Sequence, residues 1–169
     1  MLTRIITGVI GIIAAVGIIT KGGMLFNAAV AVLAAVAWYE YHKMVENKGY
    51  HAYTLTGGAL LMVLVAGAGY YFELEGVYTL AFIVMLTALF FIFSTIEGLW
   101  LHCNRGEQHW AENSALTAWG MLYCGLLFAH IILLRSFDGG PHIDLGFRVF
   151  EYGEICLWIV LLGTWASDT

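Results

Sequence analysis

Residues 115–134 read ALTAWGMLYCGLLFAHIILL, twenty residues without Asp, Glu, Lys, Arg or Pro. An apolar helix of about 20 residues is long enough to cross the hydrocarbon core of a bilayer. The whole chain has a similar character, since 61% of its 169 residues are hydrophobic, only 11% are charged and its mean hydropathy is +0.83. Soluble domains contain about 45–50% apolar and about 25% charged residues. The composition therefore predicts an all-α, polytopic integral membrane protein.

Working outward from this stretch, we expect about six transmembrane helices within a single domain, 1–169, without a soluble domain. The third, fourth and fifth apolar segments are long enough to span a bilayer. The first two are slightly short, but Arg4, Lys21 and Lys43 flank them and can extend their charged ends to the membrane surface. The sixth is the shortest. The six segments are 5–19, 24–39, 55–72, 77–96, 115–134 and 155–166.

The charged residues and cysteines exclude several classes of protein. The net charge is -5 and the seven Lys and Arg residues are scattered, which argues against nucleic-acid binding. The three cysteines, Cys103, Cys124 and Cys156, show no C-x-x-C spacing. The sequence therefore predicts neither a disulfide framework nor a zinc site.

The cations between the apolar segments predict the orientation. Six crossings place four cations on the side of the N-terminus and three on the opposite side. Cytoplasmic loops carry an excess of Lys and Arg, so both termini are expected in the cytoplasm. The first group is Arg4, Lys43, Lys48 and Arg105, and the second is Lys21, Arg135 and Arg148.

Few side chains in the apolar segments are candidates for chemistry. His130 lies about one turn from the end of its segment, and we interpret it as an interfacial histidine that bonds to a neighbouring helix.

The loop EGLWLHCNRGEQHW contains side chains that can bind metals, but their spacing matches no ligand pattern. A solvated loop with tryptophan anchors explains this stretch better. Its metal-capable residues are Glu97, His102, Cys103, Glu107 and His109.

Asp168 is the strongest candidate for a metal ligand. It follows an apolar segment directly, it is preceded by Trp165 and it is flanked by Ser167 and Thr169. A carboxylate at this place is well positioned to hold a hard divalent cation at the membrane surface. An ordinary aspartate at the end of a helix is the alternative. No catalytic or nucleotide-binding residue is identified.

Three stretches resemble the bacterial phosphatidate cytidylyltransferase (CDP-diacylglycerol synthase) family. AVAWYEYHKMVENKGY (35–50) resembles the exit of the family's second helix, and LTAWGMLYCGLLFAHIILLRSFDGG (116–140) its fifth-helix region. LLGTWASDT (161–169) resembles the start of a W-A-(N/S)-D-T-G-A-Y segment. The three occur in the family's order with comparable spacing. The family's Ser-Pro-Lys-Lys-Thr stretch and its C-terminal signature, which is rich in Lys, Asp and His-Gly-Gly, do not occur here. We therefore expect the N-terminal part of such an enzyme, truncated at the W-A-S-D-T segment (165–169).

The resemblance implies an enzyme of phospholipid biosynthesis in the bacterial inner membrane. Its substrates would be CTP and phosphatidate, its products CDP-diacylglycerol and diphosphate, and its cofactor Mg²⁺, with Asp168 as a metal ligand. Because the expected Lys- and Asp-rich half is not in this sequence, we expect the chain alone to be inactive. A small transporter and a non-catalytic membrane partner are the alternatives. The small-residue faces of the helices are also compatible with a homo-oligomer.

Overall fold

The computed structural model describes residues 2–71, 76–144, 146 and 148–167. Six helices account for most of these residues, and a two-stranded antiparallel hairpin, β1 (Ile143–Asp144) and β2 (Val149–Phe150), precedes the last one. The fifth helix contains a π-helical turn at Met121–Leu126. The helices are α1 (Leu2–Lys21), α2 (Gly23–Glu46), α3 (Thr54–Tyr71), α4 (Gly76–Arg105), α5 (Trp110–Ser136) and α6 (Tyr152–Ser167).

The all-α prediction is confirmed, and the short hairpin is an addition to it. Each predicted apolar segment falls within one helix. The third segment ends at Phe72, which is outside the described residues, so this comparison covers it only as far as Tyr71. Among the described residues, three helices are long and apolar enough to cross a membrane, and three further apolar helices are shorter. The first three are Gly23–Glu46, Leu80–Arg105 and Trp110–Ser136, and the shorter ones are Gly8–Lys21, Thr54–Tyr70 and Tyr152–Ser167.

Helix α2 packs against α3 and α5. One of its faces is buried along its whole length, with Phe26 and Val30 near its start and Trp38 and Tyr41 near its end. The indole of Trp38 packs so closely on Gly57 of α3 that a Cβ there would overlap it. Small residues let helix backbones approach one another in this way. Gly57 is thus a packing position between α2 and α3.

Glycine also forms the tight connection between α1 and α2. Gly22 and Gly23 have φ angles of 61° and 58°, which side-chain-bearing residues rarely adopt. The guanidinium of Arg135 occupies the space that a Cβ at Gly22 would need. The end of α1 is therefore fixed against the end of α5.

The helices bring distant loops together at two ends of the bundle. At one end α2 and α4 finish and α3 and α5 begin, and we call it the Asn113 end after a buried residue there. At the other, α1 and α5 finish and α6 begins, and we call it the Arg135 end. The charged residues of the described part of the chain lie at or near these two ends.

Candidate functional site

A buried hydrogen-bond network at the Asn113 end joins α5 to the loop between α2 and α3. The Asn113 side-chain oxygen accepts from the backbone N–H of His51 (2.9 Å), and its amide donates to a carboxylate oxygen of Glu107. Thr117 Oγ1 accepts from the backbone N–H of Tyr53 (2.9 Å) and donates to the Asn113 carbonyl (2.7 Å). Asn113 and Thr117 are both buried. Buried polar groups must be paired, so this network fixes the loop on α5.

The end of α4 packs on the same part of α5. The Ser114 hydroxyl bonds to the carbonyl of Ser94 (3.0 Å), and a Cβ at Gly98 would overlap that hydroxyl. The neighbouring Glu97 has one carboxylate oxygen that is buried and has no hydrogen-bond partner within the described part of the chain. Burial raises the pKa of the nearby Tyr53 hydroxyl, and the negative charge of Glu97 acts in the same direction. These groups form a partly buried, acidic corner.

Two histidines share one carboxylate beside this corner. His42 Nε2 lies 3.3 Å and His51 Nδ1 3.6 Å from the same oxygen of Glu46. The Thr54 hydroxyl lies 3.0 Å from His42 Nε2. Imidazole suits zinc and other transition metals better than Mg²⁺. Among the described residues, moreover, no group of three or more His, Cys, Asp or Glu side chains is placed to hold a metal ion.

The structure does not bring together the metal-capable residues of the stretch 97–110 into a group that could hold a metal ion. His102 Nδ1 contacts the backbone carbonyl of Glu107 (2.7 Å), whereas His109 lies 3.7 Å from Glu112 and Cys103 is exposed. The interpretation as a solvated loop is wrong for most of this stretch, because α4 continues to Arg105 and only residues 106–109 connect it to α5.

His130 departs from its predicted contact. Its Nδ1 lies 2.7 Å from the carbonyl of Leu126, which belongs to the same helix, so the predicted bond to a neighbouring helix is wrong. A histidine reaches the carbonyl four residues earlier because both lie on one helix face. Asp168 lies outside the described residues, since the described part of α6 ends at Ser167.

The Arg135 end contains charged residues that the sequence reasoning did not identify as a cluster. Arg135 is only 5% exposed, and its Nε donates to the carbonyl of Ile19 at the end of α1 (2.8 Å). Its Nη1 lies 2.5 Å from a carboxylate oxygen of Glu151. The last carbonyls of a helix have no intrahelical partner, so this arginine caps α1 from another helix.

A second arginine repeats this arrangement. Arg148 Nη2 donates to the carbonyl of Thr20 (2.9 Å) and to Glu154 Oε2 (2.9 Å). Glu154 is fully buried, and its other oxygen accepts from Trp158 Nε1 (3.4 Å). The sequence does indicate a charged cluster here, because two glutamates and an arginine occur within residues 148–154, just before an apolar segment. Their pairing depends on the end of α1, which is more than 100 residues away.

The fold defines the class of the protein as an all-α membrane protein, whose described part contains three helices long and apolar enough to span a bilayer. The model of the cytidylyltransferase family matches residues 2–169, and the chain belongs to that family. The resemblance seen in the three sequence stretches is thereby confirmed. No curated protein and no solved structure matches the chain. Family membership supports a transferase that uses CTP.

Proposed function

We propose that the chain is part of a phosphatidate cytidylyltransferase. The observation that carries the proposal is the family match over residues 2–169, in a chain whose helices are apolar enough for the membrane in which a lipid substrate lies. In the proposed reaction, a phosphate oxygen of phosphatidate attacks the α-phosphorus of CTP. The bond from that phosphorus to the oxygen that bridges to the β-phosphate breaks. Diphosphate leaves, and CDP-diacylglycerol remains in the bilayer.

The proposed arrangement has six crossings in the bacterial inner membrane, with the Asn113 end in the cytoplasm. The cation counts of the loops support this orientation. CTP would then approach the end where the loop after α2 is fixed to α5. Lys43 and Arg105 lie at this end, and cations at a surface attract a triphosphate over some distance.

Mg²⁺ belongs to the proposal through the resemblance. It would supply positive charge against the phosphates, but the described residues do not form an oxygen-rich set that suits it. Asp168 is the one ligand proposed. We further propose that transfer needs residues that follow Thr169 in the family pattern, so that residues 1–169 supply the membrane helices and the first metal ligand.

The test is Asp168→Asn in a protein that carries residues 1–169 and continues past Thr169. The amide keeps the shape of the side chain but removes the negative charge that a hard cation needs. We expect kcat to fall by about two orders of magnitude or more, as for the loss of a group that stabilises the transition state. Asp138→Asn, in the exposed loop at the Arg135 end, is the matched control and should leave kcat unchanged. Near-normal turnover of the Asp168 variant at limiting Mg²⁺ would remove Asp168 from the proposed site.

A further inference from the structure

A groove of about 870 Å³ opens between α2 and α5 at the Asn113 end. From the α2 side it is lined by Tyr41, Met44, Val45 and Lys48, which are spaced as one face of a helix. The turn after α2 keeps Lys48 on this face, because its backbone N–H bonds to the carbonyl of Val45 (3.0 Å). The groove therefore has a lysine at its outer end and mostly apolar side chains below it.

The α5 side has the same order of polarity. Glu112, Ala115, Leu116 and Trp119 line the groove and again have the spacing of one helix face. Because α5 begins where α2 ends, Glu112 lies at the outer end, near the level of Lys48. Seven residues of helix separate Glu112 from Trp119, which is about 10 Å at 1.5 Å per residue. Both walls thus change from charged to apolar over the same depth.

Exposed aromatic residues at the Asn113 end place the outer end of the groove at the membrane surface. Tyr39 and Trp100 are exposed at the Asn113 end, and Tyr50, which lines the groove just after Lys48, is 38% exposed. Exposed tyrosine and tryptophan side chains of membrane proteins concentrate at the level of the lipid headgroups. A molecule in this groove would therefore have its polar part among headgroups and its apolar part among acyl chains, as a phospholipid does.

The charges at the outer end distinguish one class of headgroup. Within the described part of the chain, Lys48 takes part in no ion pair of 4 Å or less, and Lys43 lies over the Tyr39 ring (4.6 Å) rather than in the groove. Glu112 lies 3.7 Å from His109, which is longer than a hydrogen bond, so its carboxylate retains its capacity to accept one. One cation and one anion lining the same groove complement a headgroup that carries both charges.

We propose that this groove binds phosphatidylethanolamine, or a phospholipid with the same phosphate and primary ammonium groups. The phosphate lies by Lys48 and the ammonium donates hydrogen bonds to Glu112, while an acyl chain follows Leu116 and Trp119. The inference goes beyond the proposed function, because this lipid is not the substrate. A quaternary ammonium has no N–H to donate, so a choline headgroup lacks the Glu112 contact.

The experiment measures lipid retention by the purified chain of residues 1–169 with native mass spectrometry. Phosphatidylethanolamine, phosphatidylcholine and phosphatidate with identical acyl chains are supplied in equal amounts. We expect phosphatidylethanolamine to be retained about tenfold better than phosphatidylcholine, the factor that one charge-assisted hydrogen bond supplies. Glu112→Gln leaves an amide oxygen that accepts only a neutral hydrogen bond, so it should lower this preference severalfold, and Lys48→Gln should lower the retention of both lipids. The matched controls Glu40→Gln and Lys43→Gln remove charges from the same end outside the groove and should change neither.

Three results would overturn the proposal. The first is equal retention of the ethanolamine and choline lipids by the unmodified chain. The second is retention of phosphatidate above phosphatidylethanolamine with dependence on Lys48, which would assign the groove to the lipid substrate. The third is a change of lipid retention in the control variants as large as that in the Glu112 and Lys48 variants. None of these results depends on turnover of CTP, so the outcome stands apart from that of the proposed function.

Discussion

Glu154→Ala tests whether the Arg135 end holds α1 in place. The carboxylate is fully buried, 2.9 Å from Arg148 Nη2 and 3.4 Å from Trp158 Nε1, and alanine removes both acceptors. Removal of one partner from a fully buried ion pair costs about 3–5 kcal/mol. Exposed pairs contribute about 0–1 kcal/mol. Arg148 is 35% exposed and keeps its bond to the Thr20 carbonyl, so we expect an intermediate loss of about 2–3 kcal/mol.

Thermal unfolding in detergent is the assay for this prediction. For a chain of this size, such a loss lowers Tm by about 5–10 °C. The control is Asp138→Ala, whose side chain is 73% exposed and lies 3.8 Å from His142, and which should cost less than about 0.5 kcal/mol. Amide hydrogen exchange should rise in the last turn of α1, while α3 keeps its protection. Two results would show that the buried pair does not anchor α1. One is a Tm of the Glu154→Ala variant equal to that of the Asp138→Ala variant, and the other is an equal rise of the amide exchange rates in α1 and α3.

Three further predictions concern packing, hydrogen bonding and orientation. Gly120→Ala should destabilise the protein by about 1–3 kcal/mol, because its Cβ would overlap aromatic side chains of α2. Gly163→Ala has open space around it and should stabilise the protein by about 0.5–1 kcal/mol, and thermal melts measure both effects. Thr117→Val should lower the free energy of unfolding by about 1–3 kcal/mol, because it leaves a backbone N–H of the α2–α3 loop unpaired. Thr95→Val should lower it much less, because the Thr95 hydroxyl is exposed and bonds only to its own helix. A single cysteine placed in residues 40–54, with the native cysteines replaced, should be labelled from the cytoplasm, and labelling from the periplasm would reverse the proposed orientation.

The helices could be predicted from the sequence because hydrophobicity reports directly on membrane depth. Segments 24–39 and 77–96 lie inside α2 and α4, but these helices continue to Glu46 and Arg105. An apolar run ends where the chain reaches the membrane surface, whereas the backbone hydrogen bonds of the helix continue beyond it. The prediction therefore located the helices and shortened them.

The polar sites could not be predicted in the same way, because they form between elements that are distant in the sequence. Arg135 contacts the carbonyl of Ile19 across 116 positions, and Tyr53 contacts Thr117 across 64. A single sequence contains the donors and acceptors without the distances between them. Asn113 and Thr117 appear as ordinary polar residues until α5 is packed against the α2–α3 loop.

The most direct test of the account is the transfer of label from CTP to lipid. Membranes that contain a protein carrying residues 1–169 and its continuation are incubated with phosphatidate, CTP labelled at the α-phosphate, and Mg²⁺. If the proposed function is right, the label appears in CDP-diacylglycerol in these membranes, and residues 1–169 alone form no more of it than a control without protein. Label that stays in the nucleotide would contradict the proposed reaction, and CDP-diacylglycerol formed by residues 1–169 alone would contradict the proposal that transfer needs residues beyond Thr169.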